Sequence, residues 1–487
     1  MRSFDSICLG LILQGALFLM SVPAWSQDES RPVPVPAATG PGSNASANGD
    51  ESASVDDSSG RMLTPPPVSG QSYPIVLTSQ ERSNYLRGGL AFTSAYTDNA
   101  VGPVNGHPVS DISYSVWPTV ALDETTTRSH LVLAYAPGFT FYQRESSLNQ
   151  ADENASINFQ YRLSPHVTFS ARDGFQKTSN VFNQPDLASA GVVSGGTQEP
   201  NQSVIAPIAN QLSNSGNVGI TYQFAANSMV GAGGTFTNLH YSNQAEVPCP
   251  STIPSTTCEQ SLSDSGSQDG LVFYSVRVSK INYLGATYQY QRLLSYPAAG
   301  TNETQTQALL LFYTMYPTKS FSISVFGGPQ YADGGPQISV IGTTASPPSQ
   351  SWNPAAGGSL SWQGHVSSLA ISYSHLISSG GALIGAVRMD SVNALMRQQL
   401  VRTLSATVTG GYTENDLVAA TPLTSGNGHT ISGTASLQQQ FREHFNLQLG
   451  YTRLHQDYSA VAVLAATPNT NREFVSISYQ FSRGLGR

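Results

Sequence analysis

The chain has 487 residues, of which only 11% are charged, against roughly 25% in an average soluble domain. Its formal net charge is −8 and it contains no dense cluster of Lys and Arg. Because phosphate binding depends on concentrated basic side chains, the composition excludes nucleic acid as a partner.

The first 26 residues have the features of a secretory signal peptide. Arg2 gives a basic start, residues 7–19 form a short apolar stretch, and Ala24-Trp25-Ser26 provides a small-x-small cleavage site before Gln27. Cys8 lies too early for a lipidation site at the cleavage point. No stretch reaches the roughly 18 to 20 apolar residues of a membrane helix. We therefore expect an exported protein that is not a helical membrane protein.

Residues 27–82 are rich in Pro, Ser, Ala, Gly and Asp and contain few large apolar side chains. Such a segment cannot bury enough apolar surface to offset the entropy lost on ordering. The composition predicts a disordered periplasmic segment. A tether to peptidoglycan or to a protein partner is the alternative, although nothing in the segment resembles a folded recognition module.

Two cysteines lie in the polar, Pro-rich stretch 247–258. In an oxidising compartment Cys249 and Cys258 are expected to close a loop disulfide. A metal site is the alternative, but it needs further Cys or His ligands nearby, and the closest candidate, His240, stands alone. We expect no metal and no cofactor.

From about residue 84 onward, apolar and polar residues alternate, as in 157–162, 218–224, 284–290 and 445–451. A period of two places the apolar side chains on one face of a strand and Asn, Gln, Thr or Gly on the other. About eighteen such segments can be laid out. They begin near Leu86, Ser110, His130, Ala155, His166, Asn217, Met229, Leu271, Leu284, Thr304, Phe321, Gly358, Ser367, Leu383, Thr403, Thr430, Phe445 and Glu473.

The links between these segments alternate in length. Short links fall at 123–126, 163–166, 225–228, 316–320 and 442–444, and long polar links at 178–212, 243–267, 333–351, 414–428 and 458–471. Outer-membrane barrels have short periplasmic turns and long external loops, whereas a soluble sandwich has no reason to alternate in this way. The sequence thus predicts an all-β transmembrane antiparallel β-barrel of about 18 strands (16–18) over residues 83–487.

Closure is required because an open edge in hydrocarbon leaves backbone groups unpaired, at several kcal/mol each. With this number of strands the interior is too wide for side chains to fill, so a water-filled channel is expected unless loops fold in. Aromatic residues near the strand ends are candidates for the two interface girdles. They are Tyr161, Phe224, Tyr316, Phe321, Phe441, Phe445 and Phe481 near short links, and Tyr96, Phe141, Tyr412 and Tyr451 near long ones.

The last strand, residues 474–481, places Tyr479 and Phe481 on its outward face. Here the sequence resembles the outer-membrane β-barrel porin-like families of Gram-negative bacteria, whose final strand ends in aromatic residues that the barrel-assembly machinery recognises. The resemblance covers the barrel from about residue 84 to 481. It departs from the family pattern in the six residues that follow Phe481, which make the implied assembly signal internal.

The predicted lumen face is neutral and polar with a few charges, for which the candidates are Arg162, Arg172, Arg277, Arg388 and Asp390. Arginines on several strands could line a constriction and set a mild anion preference. The alternative is that they are solvated lumen residues without a role in selectivity.

Passive diffusion of small solutes through an outer-membrane channel is the leading functional interpretation. A barrel serving exopolysaccharide export or surface assembly, and a soluble secreted β-rich adhesin, are the alternatives. An enzyme is not expected, because the histidines are scattered and no nucleophile elbow, paired acidic motif or metal-ligand spacing accompanies them. The expected partners are outer-membrane lipid, the assembly machinery and small solutes, and homo-oligomerisation is left open.

Overall fold

The computed structural model describes residues 84–100, 103–104, 107–178, 210–242, 263–296, 301–318, 320–335, 349–379, 385–418, 428–442, 444–458 and 469–485. Three of the predictions lie outside these residues. They are the signal peptide 1–26, the disordered segment 27–82 and the disulfide between Cys249 and Cys258.

The described residues form twenty strands and one turn of 3-10 helix at Ser146–Leu148. The strands are β1 (Tyr85–Thr97), β2 (Pro103–Val104), β3 (His107–Pro108), β4 (Asp111–Thr125), β5 (Ser129–Tyr142), β6 (Gln150–Arg162), β7 (Val167–Thr178), β8 (Gln211–Ala225), β9 (Ser228–Tyr241), β10 (Asp264–Ser279), β11 (Asn282–Tyr296), β12 (Asn302–Thr318), β13 (Phe321–Gly334), β14 (Ser349–Gln363), β15 (Ser367–Ser379), β16 (Ala386–Val401), β17 (Leu404–Leu417), β18 (Gly428–Phe441), β19 (Phe445–Tyr458) and β20 (Asn469–Gly484).

Eighteen of these strands form one closed antiparallel barrel. Each strand from β4 to β20 pairs with the next strand in the chain, and β1 pairs with both β4 and β20. The seam runs from Tyr85↔Gly484 to Thr97↔Arg472. The two-residue strands β2 and β3 pair only with each other in the connection between β1 and β4. The predicted fold class and strand number are confirmed.

Connections at one end of the barrel are short turns, and those at the other end are mostly longer. The short turns are 126–128, 163–166, 226–227, 280–281, 319–320, 364–366, 402–403 and 442–444. We call this the short-turn end, and the opposite end, which carries connections such as 179–210 and 242–263, the long-loop end. The predicted alternation of connection lengths is confirmed.

Several strands begin earlier than the alternation of apolar residues indicated. Strand β10 begins at Asp264 rather than near Leu271, and β14 begins at Ser349 rather than near Gly358. The early part of β10 consists of Ser, Gly, Asp and Gln, so it shows no apolar rhythm, yet its backbone stays paired with both neighbours. Barrel strands are therefore 12 to 17 residues long and extend beyond the apolar part of the wall.

The two faces of the wall differ in chemistry. Along β12, for example, Leu309, Leu311 and Tyr313 are exposed, whereas the alternate residues Thr304 and Thr314 are buried. The same division recurs around the barrel, with exposed Leu, Val, Ile, Phe and Tyr on the outward face and buried Ser, Thr, Asn and Gln on the inward face. An apolar exterior around a polar interior is the arrangement of a barrel that stands in lipid.

No helix among the described residues is long and apolar enough to cross a membrane.

An aromatic ring covers the seam of the barrel on its outward face. Phe481 of β20 stands opposite Gly88 of β1, and a Cβ on Gly88 would fall inside the Phe481 ring. The glycine lets the ring lie flat across the joint, and both Tyr479 and Phe481 are exposed outward as predicted. The last strand is thus held by side-chain packing as well as by its ladder.

We expect Phe481→Ala to lower barrel stability by about 1 kcal/mol, the usual range for a cross-strand aromatic contact, and to lower the yield of folded barrel. The measurement is urea unfolding in lipid vesicles, together with the fraction of heat-modifiable protein. Phe141→Ala is the matched control, because Phe141 is equally exposed but lies away from the seam. If the two variants lose the same amount of stability, the Phe481 ring has no special role at the seam.

Candidate functional site in the barrel lumen

A row of polar side chains crosses the inward face of seven neighbouring strands, from β6 to β12. Each member is the register partner of the next member on the adjacent strand. We call this set the polar row; it consists of Asn158, Arg172, Asn217, Thr235, Asp269, Gln291 and Thr306.

Hydrogen bonds link the members of the polar row to one another. Arg172 Nε donates to Asn158 Oδ1 at 3.3 Å, and the Thr306 hydroxyl donates to Gln291 Oε1 at 3.4 Å. Arg172 and Asp269 give the row one cationic and one acidic member on the same side of the barrel. A row of fixed donors and acceptors can replace part of the hydration shell of a polar solute.

A second charged group lies on the inward face near the short-turn end. The Asp123 carboxylate is 3.9 Å from the Arg87 guanidinium and 3.2 Å from His130 Nε2. These residues come from β4, β1 and β5, which are neighbours in the barrel. Charges of both signs therefore face the lumen at this end.

Three of the predicted lumen residues, Arg162, Arg172 and Arg277, lie on the inward face. Arg172 stands halfway along β7, whereas Arg162 is the last residue of β6. Arg277 lies beside a bulge at the short-turn end of β10, and its Nε donates to Asn227 Oδ1 at 3.0 Å. Arg162 and Arg277 thus both lie near the short-turn end, whereas Arg172 stands at mid-height, and the three do not form one ring.

The long-loop end of the β15–β16 hairpin folds into the lumen. Its described residues, 376–379 and 385–389, are here called the lumen hairpin. The backbone N–H of Ile377 donates to Gln330 Oε1 of β13 at 3.0 Å, and the N–H of Gly385 donates to Ser295 Oγ of β11 at 3.1 Å. These partners lie two and four strands away from β15, so this end of the hairpin leans into the interior. Its β16 strand stays paired with β17 there, from Val387↔Leu417 to Met389↔Asn415.

Both faces of the lumen hairpin are covered. Ile377 belongs by register to the outward face, yet it is only 1% exposed, because it packs with Leu293 of β11 and Ala332 of β13. On the other face, Leu376, Val387 and Met389 join an apolar cluster with inward side chains of the wall. The wall residues of this cluster are Leu239, Tyr241, Ala308, Leu310, Phe312, Phe326, Ala355 and Tyr458.

An apolar cluster inside a polar barrel narrows the space for solutes. Its side chains come from β9, β12, β13, β14 and β19, so the lumen hairpin connects strands that are far apart in the wall. Tyr458 is anchored at its hydroxyl, which accepts a hydrogen bond from Asn415 Nδ2 at 2.8 Å. The expected wide channel is therefore constricted from within, toward the long-loop end.

Solved structures of similar fold exist, although no family model and no curated protein matches this chain. The BenF-like porin from Pseudomonas fluorescens Pf-5 is 10% identical with a TM-score of 0.40, over 83% of this chain and 100% of that chain. OccK2 (OpdF) of Pseudomonas aeruginosa is 9% identical with a TM-score of 0.38, over 82% and 98%. Acinetobacter baumannii OccAB4 is 10% identical with a TM-score of 0.39, over 83% and 99%.

The chain is similar to porins. At such low identities and TM-scores the likeness adds nothing to the fold, which rests on the strand register of this chain. The residues of the lumen are likewise described from this chain alone.

Two predicted lumen residues, Arg388 and Asp390, lie on the outward face, and the expectation for them is wrong. Asp390 accepts a hydrogen bond from the Tyr373 hydroxyl at 2.8 Å, and Arg388 lies 3.7 Å from the Asp416 carboxylate. The physical reason is that the alternate residues, among them Val387, are the apolar ones that pack inside the barrel. In this part of β16 the apolar side chains face the lumen and the charged ones face outward, which is the reverse of the arrangement in the rest of the wall.

Other inward charges do not stand out in the sequence. The pattern places Asp123 in a turn and Asp269 before the start of its strand, yet both belong to paired strands. Arg472 is buried on the inward face of β20, with its guanidinium 5.3 Å from the Phe474 ring centroid. The alternation of polar residues themselves, such as Ser265, Ser267 and Asp269, is the signal that could have found these positions.

Proposed function

We propose that this chain is an outer-membrane channel through which small solutes diffuse passively. The observation that carries the proposal is the closed 18-stranded barrel with an apolar outward face and a polar inward face. Exposed aliphatic and aromatic side chains around the whole wall require lipid as their surroundings. A soluble adhesin leaves this surface uncovered, and no feature of the described strands favours polysaccharide export.

The lumen favours small polar solutes. The lumen hairpin narrows the interior, and the polar row offers donors and acceptors along one side of it. Uncharged hydrogen-bonding molecules and small ions match this lining, because both signs of charge are present and neither forms a ring.

The test is single-channel recording in planar bilayers with the purified, refolded barrel. We expect discrete conductance steps, and uptake of small sugars or amino acids into proteoliposomes that falls steeply with solute size. A folded barrel that produces neither steps nor uptake would remove the channel proposal.

Arg172 is the arginine best placed to influence ion selectivity, because it stands at mid-height on the inward face. We expect Arg172→Ala to shift the reversal potential toward cations in a salt gradient, with a change in the permeability ratio of about two-fold. Arg277→Ala is the control, since its guanidinium is bonded to the β8–β9 turn. If Arg172→Ala leaves selectivity unchanged, the arginines are solvated lumen residues only.

We also propose that residues 1–26 direct export, that residues 27–82 extend into the periplasm, and that Tyr479 and Phe481 serve as the assembly signal. The exposed aromatic pair at the seam supports the last of these. Cys249 and Cys258 are proposed to pair in an external loop, which a mass shift after reduction and alkylation would detect.

A further inference from the structure

The wall of the barrel is interrupted between β14 and β15. Their ladder runs from Gln363↔Ser368 to Ala356↔His375, and within the described residues no pair follows toward the long-loop end. On its other side β14 stays paired with β13 as far as Gly334↔Ser349. Residues 349–355 of β14 thus have no strand partner among the described residues on the side that faces β15.

A proline stands where the ladder ends. If the register continued, Pro354 would face Ile377, but proline has no N–H to donate to a neighbouring strand. The Ile377 C=O would therefore find no donor at Pro354, and the Ile377 N–H donates to the Gln330 side chain inside the barrel. Strand β15 separates from β14 at this position.

Apolar side chains lie on both sides of this interruption. On the inside, Ala355, Leu376 and Phe326 belong to the apolar cluster of the lumen. On the outside, Trp352 is 72% exposed and its ring lies 5.1 Å from that of Tyr331. Such aromatic pairs are typical of the membrane–water interface, which places the interruption next to lipid.

We propose that the interruption between β14 and β15 is a side opening through which small uncharged apolar molecules pass between the lumen and the surrounding membrane. This inference rests on the proposed channel function and adds a second class of solute to it. An apolar molecule in the lumen meets the apolar cluster directly behind the interruption, and the exposed aromatic pair Trp352 and Tyr331 lies beside it on the membrane side. Polar solutes continue along the polar row, because the row offers them aligned donors and acceptors, whereas the route through the wall leads into the membrane.

The test compares Pro354→Val with Pro329→Val. The two prolines face each other across β13 and β14, and both are exposed on the outward face. In Pro354→Val the restored N–H points to β15 and lets the ladder close, whereas in Pro329→Val it points away from the interruption. The probe is the apolar dye N-phenyl-1-naphthylamine, whose fluorescence rises when it reaches the membrane of cells that express the barrel.

We expect Pro354→Val to slow dye uptake by about three-fold or more while single-channel conductance does not fall, because closing the ladder seals the side path and draws Ile377 toward the wall, away from the pore. Pro329→Val should change neither quantity. Ala356→Trp, which places a bulky ring at the last paired residue of β14, is a second and independent block. If neither block slows dye uptake, or if uptake and conductance fall together, the side opening is refuted. Loss of conductance in the wild type would instead refute the channel function itself.

Discussion

Replacing Val387 with Asp is expected to raise single-channel conductance about two-fold or more, because the lumen hairpin is held by apolar burial and its release widens the pore. Val387 is 0% exposed and packs within the cluster of the constriction. Burial of such a side chain contributes roughly 1.5–3 kcal/mol, and an unpaired carboxylate in its place costs several kcal/mol more. The ladders on either side of β16 are formed by backbone groups and do not require this side chain.

The control is Asn393→Asp, which adds the same charge to the inward face of the same strand below the lumen hairpin. A charge effect alone would change the two variants alike, whereas release of the hairpin raises conductance in Val387→Asp only. Recordings at high salt strengthen the comparison, because salt screens the added charge but leaves the pore radius unchanged. Unchanged conductance in a folded Val387→Asp barrel would show that the lumen hairpin does not restrict the pore.

The barrel could be predicted from the sequence because the same alternation of apolar and polar side chains recurs in strand after strand. A wall between lipid and water imposes a period of two on every strand, and turns at one end must be short. The first and last residues of the strands were harder to predict where both faces of a strand are polar. Residues 265–268 pair with two neighbours although they contain no large apolar side chain.

The constriction could not be predicted, because its inward-facing residues are apolar, whereas the inward-facing residues elsewhere in the wall are mostly polar. Val387 and Met389 are apolar and face inward, so alternation alone assigns them to lipid. That is why Arg388 was expected in the lumen and lies outside. The hydrogen bond from Ile377 to Gln330 joins residues that are 47 positions apart in the chain, and no local pattern predicts such a contact.

Gly285→Val is expected to prevent most of the chain from reaching the folded barrel. Gly285 lies on the inward face of β11, where a Cβ would collide with the Tyr274 carbonyl oxygen of β10 and with the Phe312 ring of β12. Phe312 is buried in the apolar cluster and has no free space to move into. The carbonyl belongs to the ladder itself, so relief of the clash requires the β10–β11 pairing to separate. Overpacking of this kind costs about 3 kcal/mol or more.

Gly270→Val is the matched control, because it makes the same substitution on the adjacent strand at a glycine whose Cβ would have open space around it. Valine has a higher strand propensity than glycine, so the substitution favours the strand at both sites. A folding defect found only in Gly285→Val therefore reports the steric clash and not the loss of glycine. The measurement is the heat-modifiable fraction after refolding into lipid vesicles, with urea midpoints for whatever folds. A Gly285→Val barrel that folds as fully as Gly270→Val would mean that Phe312 and the ladder can move aside. The apolar cluster would then be too loose to hold the lumen hairpin in place.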